Sequence, residues 1–294
     1  MAAQPDTALR VVRPSFANGY DHAPSATRTV SRIADAVLGE TGTLRRCKLL
    51  REDPDLAEAI PLSRRDEAIE RCMALQTTIG TRCWNGEAHV GGAGGIGLLI
   101  LEGLIVRRVS VGGRRGAELL GAGDVLSCVE PRDELPALEL ASSCSVLEPL
   151  RVAVLDAAFV DRELTHFPQL AAALAARIAQ RSRNLAVNLA IITQSRVDAR
   201  LHMLLWHLAG RWGRVRSGGV VLPLRLTHSL LAEMVASRRP TVSSALSGLA
   251  RRGLVRCSDD GWVLAGDAPG DTGDLEVLHT GDGGQLAHAG SYCR

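Results

Sequence analysis

The sequence predicts an α+β chain in three parts: an N-terminal jelly-roll or β-roll domain, one long helix, and a C-terminal winged helix-turn-helix. Three observations carry that expectation. Between about 78 and 156, short apolar runs alternate with glycine turns, as in a sandwich or jelly roll. After Pro168 the chain runs to Ser195 without Gly or Pro. Between 225 and 264, two short helical patterns stand close together and precede a hairpin signal.

Residues 1–28 mix Ala, Pro, Asp, Ser and Thr without periodicity, which reads as a disordered lead. That stretch has no apolar core of a secretory signal, and no run reaches the ~18 apolar residues of a membrane span. A cytoplasmic protein with no membrane partner is expected.

Residues 29–160 read as a helical lead-in followed by the β-roll. The stretch from Val30 to Leu75 looks helical in pieces. Asp53–Ile60 opens with acids and Pro54, as a helix does, and Pro61 ends it. Arg64 to Leu75 reads as another helix. Strand-like runs follow at Leu98–Leu101, Leu104–Val111 and Ala117–Leu120. Gly112-Gly113 reads as a hairpin turn, and Gly121–Asp124 as a second turn before Val125-Leu126. Val146–Leu155 is a final long strand or strand pair.

Residues 161–196 hold the long helix, and Pro168 suits its first turn. Leu170, Leu174, Ile178, Leu185, Leu189 and Ile192 recur at spacings of three, four and seven. Over about 27 residues that stripe runs some 40 Å at ~1.5 Å per residue. Arg181 and Asn188 break a strict heptad, so no clean zipper is expected. A helix this long outgrows one small domain, so Leu174, Ile178, Leu185, Leu189 and Ile192 are read as a homodimer seam. The alternative is a helix lying on its own β-domain.

Residues 197–266 form the expected winged domain. Val197–Trp212 is amphipathic, and Val220–Leu224 is a short strand. Thr227 is a candidate N-cap for a helix over His228–Val235. Ala236–Arg238 is the turn, and Arg239–Leu249 the second helix, with Pro240 in its first turn. Leu231, Val235, Val242, Leu246 and Leu249 can pack these helices together. The candidate DNA-contacting set is Thr227, Ser237, Arg238, Arg239, Thr241, Ser243 and Ser244. Arg grips guanine bidentately, while small hydroxyls bind phosphate or base edges. Leu254–Cys257 and Trp262–Leu264 flank Ser258–Gly261 as a wing. Residues 267–294 read as a disordered acidic tail.

Charge supports this arrangement. The formal net charge is only +2, but 196–256 hold eleven arginines against Asp198 and Glu233, a local balance of +9. From 259 onward seven acids face one arginine. A basic stretch beside an acidic tail points to nucleic acid. Lys48 is the only lysine, a bias that GC-rich coding explains. Hydrophobic content is 46% and aromatic content 3%, so the cores must be aliphatic.

Nothing points to an enzyme, a metal or a cofactor. The seven cysteines include no C-x-x-C pair and read mostly as reduced core residues. Gly92–Gly97 fits G-x-G-x-x-G, but strand-like residues rather than a helix follow it. His202 and His207 lie five apart among apolar neighbours. Thr227-His228-Ser229 has no nucleophile elbow around it. Asp133-Glu134 reads as a solvated loop.

Ser237 to Val255, S-R-R-P-T-V-S-S-A-L-S-G-L-A-R-R-G-L-V, resembles the recognition helix and wing of the Crp/Fnr family of bacterial transcription regulators. Gly116 to Leu126 is similar to that family's β-roll motif ending in Gly-Asp. The resemblance spans about 55–264 and keeps the family's domain order. It implies a cyclic-nucleotide-binding-like β-roll and a homodimer on near-palindromic double-stranded DNA. RNA polymerase is a further candidate partner. Half-sites would lie about one turn, roughly 34 Å, apart.

Two departures limit what the resemblance implies. Ser127 to Pro136 has neither the Gly-Glu nor the Arg-Ser of a cyclic-nucleotide cassette. Arg132 stands alone there among acids, so no cyclic AMP binding is expected, though another small effector could fit. In the recognition helix Arg239 matches the first family Arg, Pro240 replaces Glu, Ser244 replaces the second Arg, and Arg238 stands where Ser is usual. The cyclic AMP receptor's target sequence therefore does not carry over. The iron–sulfur branch's cysteine cluster is absent too. A different class of function stays open: a small-molecule sensor signalling mainly through protein–protein contacts.

Overall fold

The computed structural model describes residues 44–269, apart from 82, 85–94 and 127–139. The lead at 1–28, the Ser127–Pro136 cassette with Asp133-Glu134, the first half of the Gly92–Gly97 run and the tail from 270 lie outside the described residues.

Arg45–Lys48 is strand β1, not part of a helical lead-in. It pairs antiparallel with β2, Met73–Ile79, with Cys47 opposite Ala74. Helices α1 (Leu49–Glu52), α2 (Pro54–Glu58) and α3 (Leu62–Arg71) lie between them. Asp53 caps α2 by accepting the Leu56 N–H at 3.4 Å. The helix expected to reach Leu75 stops at Arg71, because Cys72 turns extended and Leu75–Ile79 of β2 pair antiparallel with Leu150–Val154. The β-branched Thr77, Thr78 and Ile79 suit that sheet position.

Five more strands complete the roll: β3 (Cys83–Trp84), β4 (Gly97–Val111), β5 (Arg114–Gly121), β6 (Val125–Leu126) and β7 (Leu140–Leu155). The sheet order is β1-β2-β7-β4-β5, with β3 on β7 and β6 on β4. The two runs expected at 98–101 and 104–111 are one strand. Register shifts around Glu102 and Leu104 absorb the break. Gly103 has φ +94 there, and a Cβ would lie 2.2 Å from the Pro149 carbonyl. Likewise β7 begins at Leu140, six residues ahead of the expected start.

Alternation along β4 sorts side chains between cores. Leu98 and Ile100 join Val152, Val154 and Leu126 inside the roll. Leu99 turns the other way, toward Leu49, Leu56, Phe159 and Phe167 under the N-terminal helices. Beyond the bulge Ile105 points into the roll, while Leu104 and Val106 join the core of the C-terminal domain.

Helix α4 spans Pro168–Thr193, close to the expected length, and α5 spans Val197–Trp212 as expected. Leu170 and Leu174 are buried among Phe159, Phe167 and Leu56 of the same chain. Arg177 pins this half of the helix with two hydrogen bonds to Asp53, at 2.5 and 2.7 Å, and one to the Gly123 carbonyl. Arg181 grips both oxygens of Glu118 at 2.8 Å. Leu174, expected in the seam, is thus a residue of the protomer's own core. Ile178, Leu185 and Leu189 are 41, 42 and 63% exposed, and Ile192 is half-buried.

The C-terminal domain adds β8 (Arg214–Arg216), β9 (Gly219–Leu222), α6 (His228–Met234), α7 (Arg239–Arg251), β10 (Val255–Ser258) and β11 (Gly261–Leu264). Its four-stranded sheet has the order β10-β11-β9-β8. The domain docks on the roll. Leu104, Val106 and Leu119 belong to the same cluster as Leu230, Met234 and Leu205. Arg108 of β4 bonds Glu233 of α6 at 2.6 Å. Arg211 of α5 pairs with Asp124 at 2.7 Å and donates to the Ala122 carbonyl.

Candidate nucleic-acid interface

Local chemistry sets the geometry of α6 and α7. Thr227 caps α6, its hydroxyl oxygen accepting the Leu230 N–H at 3.2 Å. After Met234 the chain turns sharply. Ala236 takes φ +51, and the Ser237 N–H donates to the Ala232 carbonyl at 2.9 Å. Arg200 of α5 clamps this turn from outside by donating to the Val235 carbonyl at 3.2 Å. The next helix starts at Arg239, with Pro240 in its first turn, where no backbone donor is missed. Leu231, Val235, Val242, Leu246 and Leu249 are all buried between the helices, as expected.

What remains outward is a polar face. Arg238, Arg239, Thr241 and Ser244 are exposed, and Thr227 is exposed at the start of α6. Ser243 differs from the expected DNA-contacting role. It is half-buried, its hydroxyl donates to the Arg239 carbonyl at 3.1 Å, and it lies 2.9 Å from His228 Nδ1. It ties α6 to α7 and so holds the helix bearing Arg239 in place. Ser237 is half-buried in the turn. The pairing of His228 with Ser243 was not expected; fifteen residues separate them and no local pattern marks the contact.

Further cations extend the face. Arg251, Arg252 and Arg256 are exposed on α7, at its end and on β10. At the start of α5, Arg196 and Arg252 share one carboxylate, Asp198, at 2.9 and 3.0 Å. Hydrogen bonds from Arg196 outweigh its burial and hold Asp198 down to about 2. The wing tip is opposite in sign: Asp259 and Asp260 are exposed in the turn between β10 and β11. Two carboxylates there repel a phosphate backbone, so grip must come from α7 and its surroundings.

His202 and His207 both lie on α5. The His202 Nε2 accepts the Trp206 indole N–H at 3.1 Å. Burial lowers the pKa of both histidines, with Arg252 adding to the effect at His202 and Arg211 at His207. Cys47 and Cys72 are buried thiols pushed up to about 11 and 12 by desolvation.

Comparison with known proteins meets the same domain. Residues 199–265 match the Crp-like helix-turn-helix domain. The chain is 27% identical over 150 residues to the CRP-like cAMP-activated global transcriptional regulator of two Mycobacterium tuberculosis strains. That alignment covers 49% of this chain and 66% of those relatives, just short of two thirds of their length. Among solved structures, a cyclic nucleotide-binding domain containing protein from Listeria monocytogenes superposes with TM-score 0.52 at 18% identity, over 72% of this chain and 96% of that one. A CooA mutant from Carboxydothermus hydrogenoformans gives TM-score 0.50 at 15% identity, over 66% and 84%. The Crp/Fnr resemblance of the sequence is borne out by the match over 199–265 and by the curated relatives, and the α+β class with its β-roll, long helix and winged domain is borne out by the fold.

Proposed function

We propose that this chain is a sequence-specific DNA-binding transcription regulator of the Crp/Fnr type, acting as a homodimer and not regulated by cyclic AMP. The observation that carries the reading is the exposed set Arg238, Arg239, Thr241 and Ser244 at the N-terminal end of α7, on a helix fixed by Ser243 and His228. A base-reading side chain needs such a rigid mount, because hydrogen bonds to base edges discriminate only when their donors are held in register. The exposed stripe Ile178, Leu185 and Leu189 supports a second copy along α4. Two copies would place two α7 helices on one duplex. The sequence Ser127–Pro136, in which Arg132 is the only cation beside Glu130, Asp133 and Glu134, lacks the cations that a cyclic phosphate needs. RNA polymerase stands as a further partner on the strength of the family resemblance alone.

The experiment is selection of bound duplexes from a randomised library at near-physiological salt, followed by sequencing. Enrichment of a near-palindrome with half-sites about one helical turn apart is expected. Retention of DNA in low salt without any enriched sequence, with and without cyclic AMP, would overturn the base-reading claim.

A further inference from the structure

Two grooves meet beside the recognition helix. One, of about 630 Å³, runs between the start of α5 and the outer side of α7, past Thr241, Ser244, Gly248 and Arg251. The other, of about 370 Å³, continues past His202, Met203 and Leu254 to Pro269. Arg196, Asp198 and Arg252 line both. The walls therefore carry three arginines against one acid. Asp198 is shared between Arg196 and Arg252, and Arg251 has no ion-pair partner among the described residues.

Pro269 is also where the described chain ends and residues 270–294 begin. Those residues hold Asp271, Asp274, Glu276 and Asp282 against Arg294. Leu275, Val277 and Leu278 are interleaved with the acids. The grooves offer matching apolar wall at Val197, Ala245, Met203 and Leu254. Reach is sufficient. At up to ~3.6 Å per extended residue, Asp271 falls within ~7 Å of Pro269 and Glu276 within ~25 Å. The helix from Thr241 to Arg251 rises only ~15 Å.

We propose that the acidic segment 271–282 of the same chain docks in these grooves, pairing its carboxylates with Arg196, Arg251 and Arg252, and thereby competes with DNA for the recognition face. The docking stands on the groove, the charges and the exit point; the competition rests on the DNA-binding reading above. The segment acts as a tethered polyanion. Its attachment supplies a local concentration near millimolar, so even a contact that is weak on its own occupies the face. Both docking and DNA binding are salt-sensitive, because each replaces mobile counterions with fixed partners.

The test compares the full chain with a full-length variant carrying D271N, D274N, E276Q and D282N. Backbone hydrogen exchange without DNA reads docking directly. Amides in the first turn of α5 and over 252–254 should exchange more slowly in the wild type than in the variant, and the difference should vanish in high salt. Duplex binding reads competition. The variant should bind about tenfold more tightly, the factor expected for a tethered segment at ~1 mM with an intrinsic dissociation constant near 0.1 mM. Equal exchange in the two proteins overturns docking, whatever DNA does. Slower exchange in the wild type with equal DNA affinity overturns the competition. If neither protein retains any duplex in low salt, the DNA-binding reading has failed, and the exchange comparison still decides the docking.

Discussion

The outer sides of α4 and α7 are built in opposite ways. Along α4, Ile178, Leu185 and Leu189 leave apolar surface in water. Along α7, Arg238, Arg239, Thr241 and Ser244 leave charge and hydroxyls there. An apolar stripe gains by removing area from water and tolerates salt. A cationic face gains by releasing counterions, and salt weakens it steeply. The contrast teaches that assembly and DNA binding in this molecule can be separated by ionic strength: the proposed dimer should persist where DNA is lost.

The largest expected effect tests the apolar side. Leu185→Glu combined with Leu189→Glu replaces two seam side chains per protomer, each worth ~1.5–3 kcal/mol when buried, with carboxylates. Sedimentation at micromolar concentration should show a monomer with an unchanged circular dichroism spectrum. A persistent dimer would place the interface elsewhere. Next, Leu174→Ala should cost about 2–5 kcal/mol of protomer stability in denaturant titration, since that residue lies in the protomer's core. A shift in assembly without loss of stability would return Leu174 to the seam.

On the polar side, Arg239→Ala should cost about 1–3 kcal/mol at the selected site and relax preference at one base position. Equal loss on random duplex would make Arg239 a phosphate contact only. A smaller effect comes from His202, whose pKa burial and then Arg252 depress. A depressed histidine contributes stability that is present above its unfolded value, ~6.5, and lost as pH falls toward the folded value. Melting curves should therefore show Tm declining below about pH 6.5, and His202→Gln should flatten that decline. An unchanged slope in the variant would assign the acid sensitivity to other groups. Smallest of all, Ala236→Gly should raise stability by about 0.5 kcal/mol, because φ +51 strains alanine and suits glycine. A loss of stability would mean that the Ala236 methyl packs more favourably than its backbone is strained.

The two domains were not equally legible in the sequence. The winged domain announces itself locally: Thr227 caps, Pro240 opens a helix, and Ser258–Gly261 turns a hairpin. Each signal lies within a few residues of the structure it specifies. The β-roll is specified by partners far away in sequence. Glu102-Gly103 looks like a break, but β7 pairs across it and turns it into a bulge. The serine-rich start of β7 and the basic β1 carry no apolar alternation, and only their neighbours make them strands. At the candidate site the same limit hid the inward turn of Ser243 toward His228. Arg181 looked like a flaw in a heptad and is instead a bidentate tie to Glu118.

The docking of the winged domain on the β4–β5 hairpin has a mechanical consequence. Leu104, Val106 and Leu119 belong equally to the roll and to the domain that carries α7. Swinging that domain away would return them to water at roughly 1.5–3 kcal/mol each, besides parting Arg108 from Glu233. At even 4 kcal/mol, about one molecule in a thousand would be found swung out. The recognition helix therefore has a single resting orientation rather than a loose swivel, and any other orientation must be held by contacts that outweigh three buried side chains.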